Sequence, residues 1–286
     1  MANLKEIRNR ISSVSSTMQI TSAMKMVSAA KLKKAQDAIT AMRPYSDKLT
    51  ELLQSLSATL DVDSGSKFSV QREVKNVLIV AITSNRGLCG AFNSNIIKSV
   101  QNLASNKYAN QNVSFVAIGK KANDAFKKTN KVIANKSAVY DDLTFDNVAE
   151  IAELLMDKFV VGEFDKIEIV YNKFKNAATQ EVIIEQFLPI VPVEGDANLS
   201  LDYIFEPSKV EIVEQLIPKS LKTQLYKSIR DSFASEHGAR MTAMHKATDN
   251  ATELRDQLKL TYNKARQAAI TNEILEIVGG AEALNN

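Results

Sequence analysis

The sequence predicts an α/β protein in which both termini form a long antiparallel two-helix coiled coil around a central α/β domain. Three observations carry this expectation. Both ends of the chain show unbroken helical periodicity, the middle alternates strand and helix signals, and the end helices are too long for a compact body. From Asn3 to about Thr59 there is one proline, Pro44, and no glycine. Apolar residues recur at steps of three and four (Leu4, Ile7, Ile11, Val14, Met18, then Ala35, Ala38, Met42, Tyr45, Leu49, Leu52, Leu56), which is a seven-residue repeat. One class of that repeat runs Ile7, Val14, Thr21, Ser28, Ala35, Met42, Leu49, Leu56. Its partner class is expected to shift from three residues before it to three after it, as in a weakly supercoiled pair. Pro44 removes one backbone donor and is expected to kink or loosen the helix. About 55 helical residues make a rod of about 80 Å, whereas a compact chain of this length has a radius of gyration of about 19 Å. The rod is expected to protrude.

The second piece follows the polar turn-forming stretch Asp61-Val62-Asp63-Ser64-Gly65-Ser66. Val74–Thr83 reads as a buried strand, Phe92–Lys107 as a helix, Val113–Ile118 as a strand, Lys120–Lys128 as a helix and Lys131–Val139 as a strand. Val148–Val161 reads as a helix, and Lys166–Tyr171 with Glu181–Pro189 as an antiparallel hairpin, followed by a loop over Pro189–Asn198. Such alternation predicts a small Rossmann-like α/β domain. The third piece starts near Pro207, with Pro218 suited to a first helical turn. Its seam reads Met244, Ala247, Ala251, Leu254, Leu258, Thr261, Ala265, Ala268 and Leu275, and Gly279-Gly280 is expected to end it. The expected domains are therefore 1–60, 61–206 and 207–286.

Composition narrows the function classes. With 45% hydrophobic and 24% charged residues the chain is neither disordered nor a disulfide scaffold, and its one cysteine, Cys89, excludes an internal disulfide. The longest apolar run, Val77–Ile82, is far short of the roughly 20 residues that span a bilayer. The net charge of +3 hides an asymmetry: residues 1–60 carry nine basic groups against four acids, 61–218 are net −4 and 219–286 net +2. The acid-poor, Ser-rich start also has the character of a transit peptide, but its heptads continue through the whole rod. A basic face of this kind suits phosphates, anionic lipid or an acidic protein partner, the last with salt-sensitive contact. Without interleaved aromatics it does not point to nucleic acid.

No active site assembles in the sequence. Ser84-Asn85-Arg86-Gly87-Leu88-Cys89-Gly90 follows the first strand, where nucleotide folds place their phosphate loop. It lacks both G-x-G-x-x-G and G-x-x-x-x-G-K-[ST], so it reads as a structural turn. His237 and His245 have no ligand frame and read as solvated or interface residues. Cys89 reads as a small buried residue, and Asp141-Asp142 as a helix-initiating or loop pair. No catalytic residue, cofactor or metal is expected.

Three motifs carry a family resemblance. Met18-Gln19-Ile20-Thr21-Ser22-Ala23-Met24-Lys25-Met26-Val27-Ser28-Ala29-Ala30-Lys31-Leu32 resembles the N-terminal helix signature of gamma subunits of rotary F-type ATP synthases. The Ser84–Gly90 loop resembles that family's first loop, and Asn263-Lys264-Ala265-Arg266-Gln267-Ala268-Ala269-Ile270-Thr271-Asn272-Glu273-Ile274 resembles its C-terminal helix. The resemblance spans the whole chain in order. It implies a non-catalytic central shaft inside a ring of three alpha and three beta subunits, resting on the epsilon subunit and the membrane ring of c subunits. Ion flow through that ring would turn the shaft and drive ATP synthesis, or hydrolysis in reverse, at sites on the neighbours. The resemblance also implies that Arg266 and Gln267 bond a catch loop of a catalytic subunit, with Thr271 and Glu273 as nearby contacts. Met24, Lys25 and Met26 would form a collar against acidic lever segments, joined by Lys31, Lys33 and Lys34. Ile274, Leu275, Ile277 and Val278 would be an apolar tip in a bearing, or seam, or both. The expected location is peripheral, on the cytoplasmic face of a bacterial plasma membrane, a bacterial source being suggested by Met1 standing directly on the shaft helix. Two other classes share some of these features: a non-rotary coiled-coil adaptor, and an α/β enzyme with helical arms and a ligand site within 61–206.

Overall fold

The computed structural model describes residues 4–57, 67–128, 131–190 and 209–284. The expected turn at Asp61–Ser66, all but the start of the loop after Pro189, and the domain boundaries near 60 and 206 lie outside those residues. Two long helices, α1 (Leu4–Ser57) and α5 (Lys209–Leu284), begin and end the chain. The chain divides into two compact units, residues 29–240 and residues 1–28 with 241–286.

The larger unit is built on a five-stranded sheet: β1 (Asn76–Ile82), β2 (Asn112–Ile118), β3 (Lys131–Asn135), β4 (Lys166–Phe174) and β5 (Gln180–Leu188). Their order is β3-β2-β1-β4-β5, all parallel except β5, which pairs antiparallel with β4 as the hairpin reading expects. Strand β1 is apolar throughout because it is buried on both faces. Val77, Ile79 and Ala81 meet α2 (Phe92–Asn102) and α3 (Lys120–Phe126). Leu78, Val80 and Ile82 meet α4 (Phe145–Val160) and α5. Helix α4 starts at the Thr144 hydroxyl, which accepts from Asn147 N at 3.4 Å, and buries the stripe Val148, Ile151, Ala152, Leu155, Met156 and Phe159. Helix α5 adds Ile217, Leu221, Leu225 and Ile229 to the same core, each such side chain contributing about 1.5–3 kcal/mol on burial.

Several expectations are corrected. Strand β3 stops at Asn135, because the Asn135 side chain accepts from Ser137 N (3.1 Å) and turns the chain into a 3₁₀ turn, Ser137–Tyr140. The expected helix through Lys107 ends as α2 at Asn102 and closes with a π-helical turn, Leu103–Lys107. Pro218 lies inside α5 rather than in its first turn, with helix on both sides of it. Gly279 and Gly280 do not end α5, which runs to Leu284. A helical glycine is only about 1 kcal/mol worse than alanine, too little to stop an established helix.

The smaller unit is an antiparallel helix pair. Arg8 meets Tyr262 (3.5 Å), Met18 meets Thr252 (3.3 Å) and Arg255 (3.5 Å), and Thr21 meets Thr248 (2.9 Å). On α1 the shielded heptad is Leu4, Ile7, Ile11, Val14, Met18, Thr21, Lys25 and Ser28, with Ser15, Ser22 and Met24 also shielded beside it. On α5 the corresponding heptad is Met244, Thr248, Ala251, Arg255, Leu258, Tyr262 and Ala265, with Ala247 and Thr252 also shielded beside it. Both are strict heptads. Within the larger unit α1 continues the same repeat through Leu32, Ala35, Ile39, Ser46 and Leu49. The expected shift of the partner class to Ala38 and Tyr45 therefore does not occur, and Tyr45 is 47% exposed. Supercoiling absorbs the drift of about 20° per heptad, so the seam needs no re-registration. The expected C-terminal seam is corrected in the same way. Met244, Ala247, Ala251, Leu258 and Ala265 hold, but Leu254, Thr261, Ala268 and Leu275 are exposed. Thr248, Arg255 and Tyr262 take the alternate seats. Arg and Tyr bury their stems while leaving a polar end accessible, and the Thr248 hydroxyl is satisfied by Met244 O at 2.8 Å.

Candidate functional site

The residues singled out by sequence lie on helix surfaces. Met24 and Lys25 are half-buried, Met26 is 63% exposed, and Lys31, in the larger unit, is exposed. Every residue from Arg266 to Ala281 is exposed, including Gln267, Thr271, Glu273, Ile274, Leu275, Ile277 and Val278. The Thr271 hydroxyl donates to its own helix at Gln267 O (2.9 Å). The side chains of Arg266 and Gln267 have no intrachain hydrogen bond among the described residues. Since Thr21 sits opposite Thr248 and Arg8 opposite Tyr262, Met24 and Arg266 are roughly 20 residues apart along the pair, about 30 Å. The structure does not bring these two groups together. It presents them as separate levels of one surface.

A second arrangement, in the larger unit, escaped the sequence reading. In a doubly wound sheet, ligands sit beyond the carboxyl ends of the strands where the strand order reverses, here between β1 and β4. That crevice is filled by the chain itself. Asn85 accepts from Lys120 N (3.0 Å) and donates to Ser137 O (3.0 Å). The Thr83 hydroxyl accepts from Ala122 N (2.9 Å), so the start of α3 is already capped. Helix α5 lies across the same end: Ser235 Oγ donates to Asn172 O (3.0 Å), and a Cβ added to Gly238 would come within 3.2 Å of Ala177 Cα. Arg240 then closes the site. One guanidinium nitrogen donates to Glu236 Oε1 (2.6 Å) and another to Arg86 O (3.1 Å) and Gly87 O (3.3 Å). The buried pair thus clamps the Ser84–Gly90 loop onto α5. Within that loop Leu88 holds a left-handed backbone (φ 61°) with its side chain 65% exposed.

The electrostatics follow from burial. Desolvation pushes the Glu236 carboxyl up against the opposing pull of Arg240, Lys31 and Arg86. His237 is held neutral, its pKa lowered to about 3 by burial and then by the charges of Arg240 and Lys31. It packs edge-on against Phe233 at 4.5 Å. The expectation of a solvated or interface histidine is therefore corrected for His237, which is buried within its own unit; His245 is exposed beside Asp249 (3.4 Å). Cys89 is buried, receives Asn93 Nδ2 at 3.2 Å, and has its thiol pushed up by desolvation. The signal available in sequence was the Glu236-x-x-x-Arg240 spacing with Gly238 inside it, which reads equally as an exposed helical ion pair.

Comparison with known proteins is consistent along the chain. Residues 3–284 match a family model described as ATP synthase. The ATP synthase gamma chain of Flavobacterium psychrophilum is 77% identical over 285 residues, covering 99% of both chains. The ATP synthase gamma chain of a Geobacter species is 43% identical over 286 residues, again covering 99% of each. Among solved structures, a rotor chain of the Euglena gracilis mitochondrial ATP synthase is similar in fold, with TM-score 0.66, 24% identity and coverage of 93% of this chain and 98% of that one. A chain from the central stalk and c-ring of the Tetrahymena thermophila mitochondrial ATP synthase has TM-score 0.58 and 25% identity, covering 80% of this chain and 99% of that one.

Proposed function

The chain belongs to the family of ATP synthase gamma chains, the non-catalytic central-stalk rotors of F-type ATP synthases, and on that premise we propose how its surfaces divide the work. The shaft turns inside a ring of three alpha and three beta subunits and is carried by the epsilon subunit and the ring of c subunits. Ion flow through that ring drives ATP synthesis at the neighbours' sites, and hydrolysis runs the cycle backwards. Its likeness to bacterial ATP synthase gamma chains supports a peripheral association, which we place on the cytoplasmic face of a bacterial plasma membrane; among the described residues no helix is long and apolar enough to cross a membrane.

The observation that carries the reading is the continuous exposure of Arg266–Ala281 on a helix whose preceding residues are paired. Arg266 and Gln267 present donors to a catch loop of a catalytic subunit, with Thr271 and Glu273 beside them. Ile274, Leu275, Ile277 and Val278 offer an apolar surface to a bearing. Met24, Lys25 and Met26, with Lys31, form the collar; methionine adapts to several partner geometries, and the lysines make assembly salt-sensitive. A shaft needs stiffness, which continuous backbone bonding supplies, and different faces for each neighbour.

The test replaces Arg266 and Gln267 by alanine in the complex assembled with its ring subunits. Each charge-assisted bond is worth about 1.5–3 kcal/mol, and a change of about 1.4 kcal/mol in a rotational barrier alters its crossing rate about tenfold. Turnover and single-molecule rotation are both expected to change. Unchanged turnover and torque would overturn the assignment of these two residues.

A further inference from the structure

The α/β unit separates its charge between the two faces of its sheet. Between Phe92 and Val139, the segment that holds α2, α3 and β3, there are eight lysines, one acid (Asp124) and no arginine. Between Asp141 and Glu168, the segment that holds α4, there are nine acids and two lysines. Helices α2 and α3 pack on one face through Ile96, Val100, Ala122 and Phe126. Helix α4 packs on the other through Val148, Ile151, Leu155 and Phe159. The lysines of α2 and α3 and the acids of α4 therefore lie on opposite faces; Glu168 is the exception, a buried β4 carboxylate on the α2 side that pairs with Lys107.

The lysines line up rather than scatter. Helix α3 joins the parallel strands β2 and β3 and runs back against them. Lys120 and Lys121 at its start thus lie toward Lys136, whose N donates to Ala117 O at the end of β2 (2.8 Å). Lys128, just past its end, lies toward Lys131, which opens β3. Among the described residues these five and Lys98 form no direct ion pair, although Lys120 and Lys121 lie in the field of Asp124, while Lys107 reaches Glu168 (2.7 Å) and Lys127 reaches Asp124 (3.0 Å). No large apolar side chain is exposed among the described residues between Cys89 and Thr144.

That last feature decides the kind of partner. A specific protein interface gathers arginine, aromatics and methionine around a desolvated apolar centre and is poor in lysine. The strip is the opposite: it is built of lysine with no exposed aromatic on which a base could stack, and Leu88, in the loop before α2, is the one large apolar side chain exposed at its border there. We propose that the lysine strip of α2, α3 and β3 is an electrostatic contact for an anionic phospholipid headgroup surface, with the acidic α4 face turned away from it. Lysines act on such a surface through its field, each adding a similar increment without a shaped contact. A fluid headgroup layer has no angular register, so this contact does not detain a stalk that turns against it.

The experiment is co-sedimentation of the full-length chain with phosphatidylglycerol-containing vesicles and with pure phosphatidylcholine vesicles, across a salt series. Binding is expected only to the anionic vesicles and is expected to fall with salt. One lysine near the surface corresponds to about fivefold in affinity, so K120Q/K128Q/K131Q is expected to weaken binding about a hundredfold. R10Q/K33Q/K34Q removes as much charge from the shaft and is expected to have a much smaller effect. Equal losses in the two variants would mean that net charge alone matters, and would overturn the proposal. So would binding indifferent to phosphatidylglycerol. Retained vesicle binding by the strip variant, with loss of assembly on the ring subunits, would make the strip a protein interface and also overturn it. Far-UV spectra check the fold, and K128E, which reverses one exposed charge, is expected to weaken binding about twenty-fivefold should the triple variant fail to fold. No partner subunit enters the vesicle assay, so its failure leaves the rotor reading untouched.

Discussion

Replacing Arg240 by alanine is the most informative single perturbation of the α/β unit. Arg240 is 6% exposed, and its guanidinium serves Glu236, Arg86 O and Gly87 O at once. The variant leaves the Glu236 carboxylate in place with its desolvation uncompensated and strips two loop carbonyls of their donor. Removing one partner of a buried pair destabilises by about 3–5 kcal/mol. At about 2–4 °C per kcal/mol for a body of this size, the melting midpoint is expected to fall by about 6–20 °C. The chain has no tryptophan, so near-UV circular dichroism of the buried Tyr108 and Tyr171 reports this unit. E236L/R240M replaces both charges by apolar side chains and is expected to recover the part of the loss that the unpaired carboxylate causes, because an apolar replacement of a buried pair is often neutral, while the two loop carbonyls stay without their donor. Amide exchange is expected to accelerate at residues 86–91, where the clamp had held Leu88 in its left-handed conformation. A loss below about 1 kcal/mol, or a double variant no better than R240A, would refute the clamp.

Two further outcomes are expected. His237 has a folded pKa near 3 against an ordinary 6.5, so its contribution is full above pH 6.5 and is lost as pH falls through that window; at about 1.4 kcal/mol per unit it amounts to at most about 5 kcal/mol, and urea titrations of H237Q should show a flatter acid limb than the parent. Gly119→Ala places a Cβ 2.1 Å from Thr83 O at φ 112°, so several kcal/mol of destabilisation are expected, seen as loss of soluble folded chain, whereas a wild-type melting midpoint would contradict the close approach of β1 and α3.

What the sequence made legible follows from what leaves a mark in apolar pattern. The strands were readable because β1 is a continuous apolar run, β2 is one after Ser114 and β4 holds Ile169-Val170-Tyr171 among alternating residues, and α1 because no glycine and only one proline interrupt it. The heptads were half readable. Apolarity picked out Leu254 and Tyr45, while geometry seats Arg255 and Ser46, whose polar groups are satisfied locally or reach solvent. The exposure of Arg266 and its neighbours was consistent with their sequence, but their partners leave no trace in a single chain. The clamp was not legible at all. Glu236 and Arg240 have the spacing of a solvated helical pair, and nothing local tells that α5 passes over the end of β4 there. The π-helical turn was equally hidden, since it answers to a tertiary demand: it brings Lys107 and the Tyr108 hydroxyl (2.6 Å) to Glu168, a buried carboxylate in β4.

The crevice explains why a nucleotide-type sheet performs no nucleotide chemistry here. One volume beyond β1 and β4 admits either a ligand or a helix, and α5 occupies it. A hydrophobic helix face would have filled the space with equal stability, since a buried ion pair rarely exceeds a well-packed apolar substitute. Apolar contact, however, is non-directional and tolerates rotation or sliding of a helix by one ridge. The contacts made by Ser235, Gly238 and Arg240 are directional: one hydroxyl to Asn172 O, one close backbone approach to Ala177, one guanidinium to two consecutive carbonyls. A turn of α5 about its own axis by a single residue, about 100°, breaks all of them together. The polar clamp therefore fixes the rotational phase of α5 on the sheet. A rotor must pass torque without its helix spinning in its seat, and three simultaneous directional contacts are what resist that motion.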